Sequence, residues 1–288
     1  MKKIIKLFSL TTCIIYLVGC TTIIPTIPII KEVINNNTNT ETNINISGNI
    51  GSKKASYTVD INQKYLSKEK DGRTYLKTEY PLITINGATD NTALLDTINE
   101  INKYQEKEAN DFMENTDEAA ISMLFETDLY DDTMYFTQES KIRVDRSDDK
   151  LLVLANQIYY DGGGAHPSSN TLFTNIYVPN GQKLDIDDVL NDKDGFYITL
   201  KEELKKQNPD FGFYDDWENT IDIYKKGYFD GGDEDEELRY PVKLNFELLS
   251  DKLNVYFNPY ELGPYVSGGI GVNLPYSEFP GLVKDEYK

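Results

Sequence analysis

Residues 134–160 read MYFTQESKIRVDRSDDKLLVLANQIYY, and this stretch decides the fold. Met134–Asp145 and Leu151–Tyr160 read as two long extended segments. Ser147-Asp148-Asp149 between them reads as a turn, and the spacing predicts an antiparallel hairpin. The chain holds 21 Tyr and 12 Phe, aromatic residues that suit a pleated, half-buried surface.

Working toward the N-terminus, Asp90 or Asn91 is placed to cap a helix. Leu94, Leu95, Ile98, Ile101, Asn102 and Gln105 then follow three-to-four spacing, predicting a helix that runs toward Met113. Upstream, Tyr57, Val59 and Ile61 alternate with Thr58 and Asp60, which predicts a strand. Tyr75–Ile85 is a second extended stretch, and Asn86-Gly87 marks a turn. Toward the C-terminus, Thr171–Val178 reads as a strand and Pro179-Asn180-Gly181 as a turn. Helices are expected at Asp185–Leu190 and Phe196–Gln207, and strands at Val242–Leu248, Leu253–Phe257 and Ile270–Leu274. Residues 209–237 read as irregular, aromatic and acidic. Hairpin-linked strands with a few segregated helices predict an α+β fold with antiparallel sheets and two small subdomains. The expected units are residues 51–164 and 165–288.

The first twenty residues read differently. Lys2, Lys3 and Lys6 precede an apolar run, Leu7–Val18, that ends in Leu17-Val18-Gly19-Cys20. This is the pattern of an export signal closing on a bacterial lipobox, with Cys20 as the lipidated residue. The run is short for a membrane-spanning helix, and Pro25 and Pro28 interrupt any extension of it. The expected location is the outer face of the cell membrane, with the bilayer reached through the Cys20 acyl chains. Residues 21–50 include the polar run Asn35–Asn43 and read as a disordered tether.

The net charge is −19. Removing residues 1–19 takes three lysines and no acid, leaving 26 basic and 48 acidic residues, or −22. Such a chain repels phosphate backbones, so nucleic-acid binding is not expected, whereas a cationic protein would be drawn in. Acidity that merely keeps an exported protein soluble is the plainer reading. Removing Cys13 with the signal and acylating Cys20 leaves no thiol for a disulfide.

Two segments carry a resemblance: Tyr159-Tyr160-Asp161-Gly162-Gly163-Gly164-Ala165-His166-Pro167, and Val255–Tyr265 followed by Leu274-Pro275-Tyr276-Ser277-Glu278. Over roughly residues 51–283 the chain resembles the extracytoplasmic two-domain module of the RsiV anti-sigma factors, which are lysozyme receptors. Its N-terminal half is also similar to the segment preceding the deacetylase domain of PdaC. The resemblance implies an α+β fold, an envelope location and binding of a lysozyme-like cationic protein. It does not extend to sigma-factor binding, because only Met1–Lys6 precede the apolar run. The two segments supply the candidate ligand-binding residues Tyr160, Gly163, Gly164, His166, Tyr256, Tyr260 and Tyr265.

Little here points to catalysis. His166 is the single histidine, and no Gly-x-Ser-x-Gly elbow accompanies Ser168 or Ser169. No cofactor is expected, and one His without a usable Cys makes a poor zinc set. Asp192-Lys193-Asp194-Gly195 resembles part of a calcium loop, but Leu190 and Lys201 fall where acidic ligands belong. Asp230–Glu237 reads first as a solvated acidic loop, with loose cation binding the sharper alternative. Phe211, Phe213 and Trp217 belong to an aromatic set that reads as core, or as a surface for sugars. The favoured function is therefore a non-catalytic envelope module that binds a lysozyme-like cationic protein or cell-wall glycan (peptidoglycan). The alternative is a peptidoglycan-modifying hydrolase or deacetylase accessory that uses carboxylates or His166. A structural lipoprotein without a ligand is the third.

Overall fold

The computed structural model describes residues 43–44, 56–87, 90–127, 133–230 and 239–288. The fold is α+β. Seven strands form one sheet in chain order: β1 (Asn43–Ile44), β2 (Thr58–Lys70), β3 (Arg73–Asn86), β4 (Phe136–Ser147), β5 (Leu151–Asp161), β6 (Ser168–Tyr177) and β7 (Gln182–Lys183). Neighbours are antiparallel except β3 and β4, which run parallel where Leu76–Glu79 meets Phe136–Glu139. A parallel step needs a long crossover, and helices α1 (Thr92–Asn115) and α2 (Asp117–Phe125) provide it. Beyond β7 come α3 (Ile186–Val189), α4 (Lys193–Gln207) and α5 (Trp217–Lys226). A two-stranded ribbon, β8 (Tyr228–Asp230) and β9 (Arg239–Pro241), follows. The last sheet is β10 (Phe246–Leu248), β11 (Lys252–Phe257) and β12 (Ile270–Pro275).

The apolar run Leu151-Leu152-Val153-Leu154-Ala155 lies at the centre of the molecule. Successive side chains on a strand face opposite ways, so a run buried throughout must be covered on both faces. Leu152 and Leu154 pack with Leu94 and Ile98 of α1. Leu151 and Val153 pack with Leu200, Leu248 and Val255 from the C-terminal elements. All five residues are at most 3% exposed, and each buried leucine contributes roughly 1.5–3 kcal/mol. A third cluster joins Leu76 and Phe136, at the parallel step, to Phe112 of α1 and Leu124 of α2.

The expected elements stand with shifted ends, and β1, α2, β7, α5, β8 and β9 are added. Asn91, not Asp90, caps α1, its side chain accepting the Leu94 N–H at 3.1 Å. β2 continues through the polar residues 62–70 and turns at Asp71-Gly72. Both of these residues have positive φ, which a tight two-residue hairpin requires. Helix α2 follows α1 after a single residue, Thr116. The segment 209–237, expected to be irregular, contains α5 and β8. Helix α5 buries only Trp217 and Ile221 and ends on left-handed Gly227, so its apolar face is too narrow to read as periodicity. Within the stretch expected to be a coil tether, Asn43–Ile44 pairs with Ile61 and Asn62. The signal and lipobox, the remaining tether and residues 231–237 of the acidic run lie outside the described residues. β5 and β6 pair in register on either side of residues 162–167, so the large sheet passes through the expected division at 164/165.

Carboxamide side chains bind the C-terminal elements to the sheet. The odd-numbered backbone groups of β6 point away from β5. Thr171 N–H donates to Asn258 Oδ1 at 2.7 Å, and Thr171 C=O accepts from Asn245 Nδ2 at 2.7 Å. Phe173 N–H donates to Asn245 Oδ1 at 2.8 Å. Asn175 reaches the other way, bonding Phe246 C=O and Leu248 N–H at 2.8 Å each. A free strand edge thus becomes a docking seam.

A bulge supplies the second fastening. Val144 lies opposite Leu154 and Arg146 opposite Val153, and those two partners face different clusters. The extra residue, Asp145, therefore turns Arg146 onto the face of the C-terminal sheet. There Arg146 pairs with Asp148 at 2.7 Å and donates to the carbonyls of Leu249 and Tyr287 at 3.3 and 3.1 Å. Asp148 also accepts the N–H groups of Lys150 and Leu151. Burial pushes its pKa up, but Arg146 and these N–H donors outweigh that and hold it below the usual carboxylate value.

Candidate functional site

The turn between β5 and β6 brings His166 to the surface against the loop that follows β11. Gly163 adopts a left-handed backbone with φ +72°, as a glycine readily does, and its N–H donates to Asp161 Oδ1 at 3.2 Å. Gly164, Ala165 and His166 are exposed. The His166 ring stacks on Tyr265, with centroids 3.9 Å apart and planes 17° from parallel. Tyr260 closes the group, its centroid 5.5 Å from that of Tyr265.

The hydrogen bonds fix the imidazole. Nδ1 lies 2.9 Å from Pro167 C=O, which can only accept, so Nδ1 carries a proton. In the neutral ring Nε2 is then the acceptor, and it takes the Tyr260 hydroxyl at 3.0 Å. Tyr265 Oη donates to the same Pro167 carbonyl at 2.7 Å. Among the described residues no carboxylate or serine hydroxyl bonds to the ring. Ser168 and Ser169 instead sit on β6 opposite Tyr160 and Tyr159.

Tyr260 is held in a left-handed backbone with φ +75°, uncommon for a bulky residue. The turn around it explains how. Glu261 N–H donates to Asn258 C=O at 3.1 Å, and Glu261 Oε2 accepts the Asn258 N–H at 3.1 Å. Burial pushes the Glu261 carboxyl up to about 7, against the Asn258 and Tyr224 donors that pull it down.

Of the seven residues expected to bind ligand, the fold joins His166, Tyr260 and Tyr265, with Gly163 and Gly164 shaping the turn that presents the histidine. Tyr160 lies apart. It neighbours Tyr159 on the strand and so faces the other side of the sheet, where its ring meets Phe112 edge-on at 5.9 Å. Tyr256 packs edge-on against Phe173 at 6.3 Å. Its hydroxyl fills the space where a Cβ on Gly269 would stand, so that glycine is needed for the fit. The calcium-like stretch is a helix start, with Asp192 capping α4 by accepting the Gly195 N–H. Phe211, Phe213 and Tyr224 pack against the C-terminal core that contains Trp217.

A groove absent from the sequence reading lies at the end of β4 and β5. Thr137 sits opposite Asp161 and Glu139 opposite Tyr159, so all four share one face of the sheet. With Tyr135 they line a groove of about 420 Å³. Burial raises the Tyr159 hydroxyl, and Asp161, Glu139 and Tyr265 add to the shift. Asp161 lines the groove and accepts the Gly163 N–H, so the groove adjoins the turn that presents His166. Tyr159 and Asp161 belong to the Tyr159–Pro167 segment, but Tyr135, Thr137 and Glu139 come from another strand and carry no motif, which is why spacing did not reveal the groove.

Comparison with known proteins bears on the C-terminal part. Residues 182–277 match a family model described as "Protein of unknown function (DUF3298)". No curated protein matches the chain. Solved structures that resemble it include the following two. One is a DUF3298 family member from Bacteroides fragilis NCTC 9343, at 16% identity and TM-score 0.49, covering 81% of this chain and 96% of that one. The other is a DUF3298 family protein from Pseudomonas aeruginosa PAO1, at 14% identity and TM-score 0.48, covering 82% and 97%. The chain thus carries, over residues 182–277, a DUF3298 domain, whose function is unknown.

Proposed function

We propose that this protein is an envelope lipoprotein, anchored through Cys20, whose folded body is a non-catalytic binding module for a cationic protein of the lysozyme type. The observation that carries the reading is the stacked cluster of His166, Tyr265 and Tyr260 at the surface of a chain of net charge −19. Rigid aromatic rings make effective binding anchors, because few torsions are lost on contact. The acidic field steers a basic partner toward them. Both His166 nitrogens already have partners within the protein, an arrangement suited to holding a surface in shape. The resemblance of the two site segments to a lysozyme-receptor module points the same way. Cell-wall glycan is the second reading, favoured by the same ring cluster, whose exposed His166 and half-buried tyrosines can stack on sugar faces.

The test is retention of the purified protein on immobilised c-type lysozyme and on peptidoglycan. Retention on lysozyme at low salt and release at high salt are expected, since screening weakens the steering field. Tyr265→Ala and His166→Ala should each weaken retention about tenfold, or about 1.4 kcal/mol. Absence of binding to both at low salt removes the reading. The anchor is checked separately: wild type should take up labelled palmitate and Cys20→Ser should not.

A further inference from the structure

His166 and Tyr260 lie 94 residues apart, yet the Tyr260 hydroxyl donates to His166 Nε2 at 3.0 Å. Residues 258–261 set that distance, because they are tied down at both ends. At the first end, the Thr171 N–H donates to Asn258 Oδ1 at 2.7 Å, and Asn258 is 6% exposed. Thr171 follows His166 by five residues, on the strand that leaves its turn, so this bond anchors the loop to the histidine's own segment. At the second end, Glu261 folds back on Asn258. Its Oε2 accepts the Asn258 N–H at 3.1 Å, the reach that a glutamate three residues on makes at a helix start. The Tyr224 hydroxyl of α5 and the Asn258 side chain also bond this carboxyl, and no lysine or arginine among the described residues pairs with it. A carboxyl buried without a cation costs stability once it ionises, and groups of this kind cluster at functional sites. Between the two ties stands Tyr260, at φ +75°. The one other described non-glycine residue with positive φ, Asp71, sits in a tight hairpin turn. A tyrosine leaves that conformation unless its neighbours hold it, and leaving it would swing the hydroxyl away from the imidazole.

We propose that Glu261 is the positioning residue of the ring cluster: by bracing residues 258–261 it holds Tyr260 in its left-handed backbone with the hydroxyl on His166 Nε2, and so fixes the surface that the partner meets. The inference rests on the reading that this cluster binds the partner, and it names what keeps the cluster in binding shape. Its reach extends to the imidazole. With Tyr260 in place, Nε2 accepts a hydrogen bond and the proton stays on Nδ1, against the Pro167 carbonyl. With Tyr260 displaced, Nε2 is free to carry the proton. The tautomer of His166 therefore reports where Tyr260 stands.

His166 is the single histidine, so the purified full-length protein, made without a histidine tag and labelled with ¹⁵N, gives one imidazole spectrum. Recorded with the ring neutral, wild type should show the Nδ1–H tautomer. Glu261→Ala, and Glu261→Asp, which is one methylene too short to reach the Asn258 N–H, should shift the ring toward Nε2–H. Both should also lose retention on immobilised lysozyme about tenfold. Glu261→Gln keeps an acceptor for the Asn258 N–H and should restore both readings. Melting curves identify which variants are folded, and the wild-type tautomer tests the geometry without any substitution. An Nε2–H tautomer in wild type, an unchanged tautomer in a folded Glu261→Ala or Glu261→Asp, or a Glu261→Gln as impaired as Glu261→Ala would each overturn the proposal. Lysozyme retained equally by wild type and by a folded variant whose tautomer has changed would overturn it too, while leaving the lysozyme reading standing. The expected tautomers with no retention even of wild type would remove the lysozyme reading and leave Glu261 as the residue that positions Tyr260.

Discussion

Arg146 is 7% exposed, and its guanidinium reaches a carboxylate on its own hairpin, a carbonyl of the β10–β11 turn and another near the chain end. Replacing it with methionine keeps much of the volume but leaves Asp148 buried without its cation. Arg146→Met should cost about 3–5 kcal/mol in urea unfolding, and adding Asp148→Asn should recover part of that loss. Equal stability of Arg146→Met and wild type would refute the clamp. At this scale the sequence was partly legible. His166, Tyr260 and Tyr265 stood out because they lie in the two segments that carry the resemblance. Arg146 did not, because a charged residue next to a turn reads as exposed. Only the Asp145 bulge shows that it turns inward.

At the scale of elements, the recurring device is an amide side chain standing in for a strand. Asn245 and Asn258 serve β6, Asn102 bonds both backbone groups of Ile83 on β3, and Gln207 does the same for Asn273 on β12. An asparagine offers one donor and one acceptor group in the spacing of a peptide unit, so it can pair with an edge and stop further pairing. Asn245→Ala strands two partly buried backbone groups and should cost about 2–4 kcal/mol in urea unfolding, at roughly 1–3 kcal/mol per group. A loss under 1 kcal/mol would mean that water replaces the amide at little cost. Strands and the long helix were readable from alternation and three-to-four spacing. Helices α2 and α5 were not. They are short, and their stability comes from the surfaces they cover, Leu76 and Phe136 for one and Leu262 and Phe257 with the rest of the C-terminal core for the other.

For the whole molecule, acidity and burial meet in the pH dependence of stability. Burial pushes the Glu247 carboxyl up, Asn254 draws it partly back and Asp145 pushes it up again, to about 7. Glu261 also lies near 7. A raised carboxyl pKa means the folded state binds more protons than the unfolded one between about 4.5 and about 7. Stability from these groups is therefore full below that window and lost as pH rises through it. Asp148 acts in the opposite sense, its contribution being present above the ordinary 3.8 and lost as pH falls through its depressed value. The urea midpoint should be higher at pH 5 than at pH 8, and Glu247→Gln and Glu261→Gln should each flatten the difference. A slope unchanged in both variants would assign it to overall charge repulsion instead.

What the sequence determined by itself was local. Alternation and turn residues specify strands and hairpins within a dozen residues, and a continuous apolar run such as Leu151–Ala155 requires cover on both faces. The charge and the Cys20 motif are equally independent of folding. What the tertiary structure decided was which distant segments meet. His166 and Tyr260 are 94 residues apart, as far in sequence as many contacts in this fold, and no periodicity links them. The bulge that turns Arg146, the amides that close the edges and the groove on β4 and β5 take shape only when segments distant in sequence have met. Each depends on burial and on backbone groups of other strands.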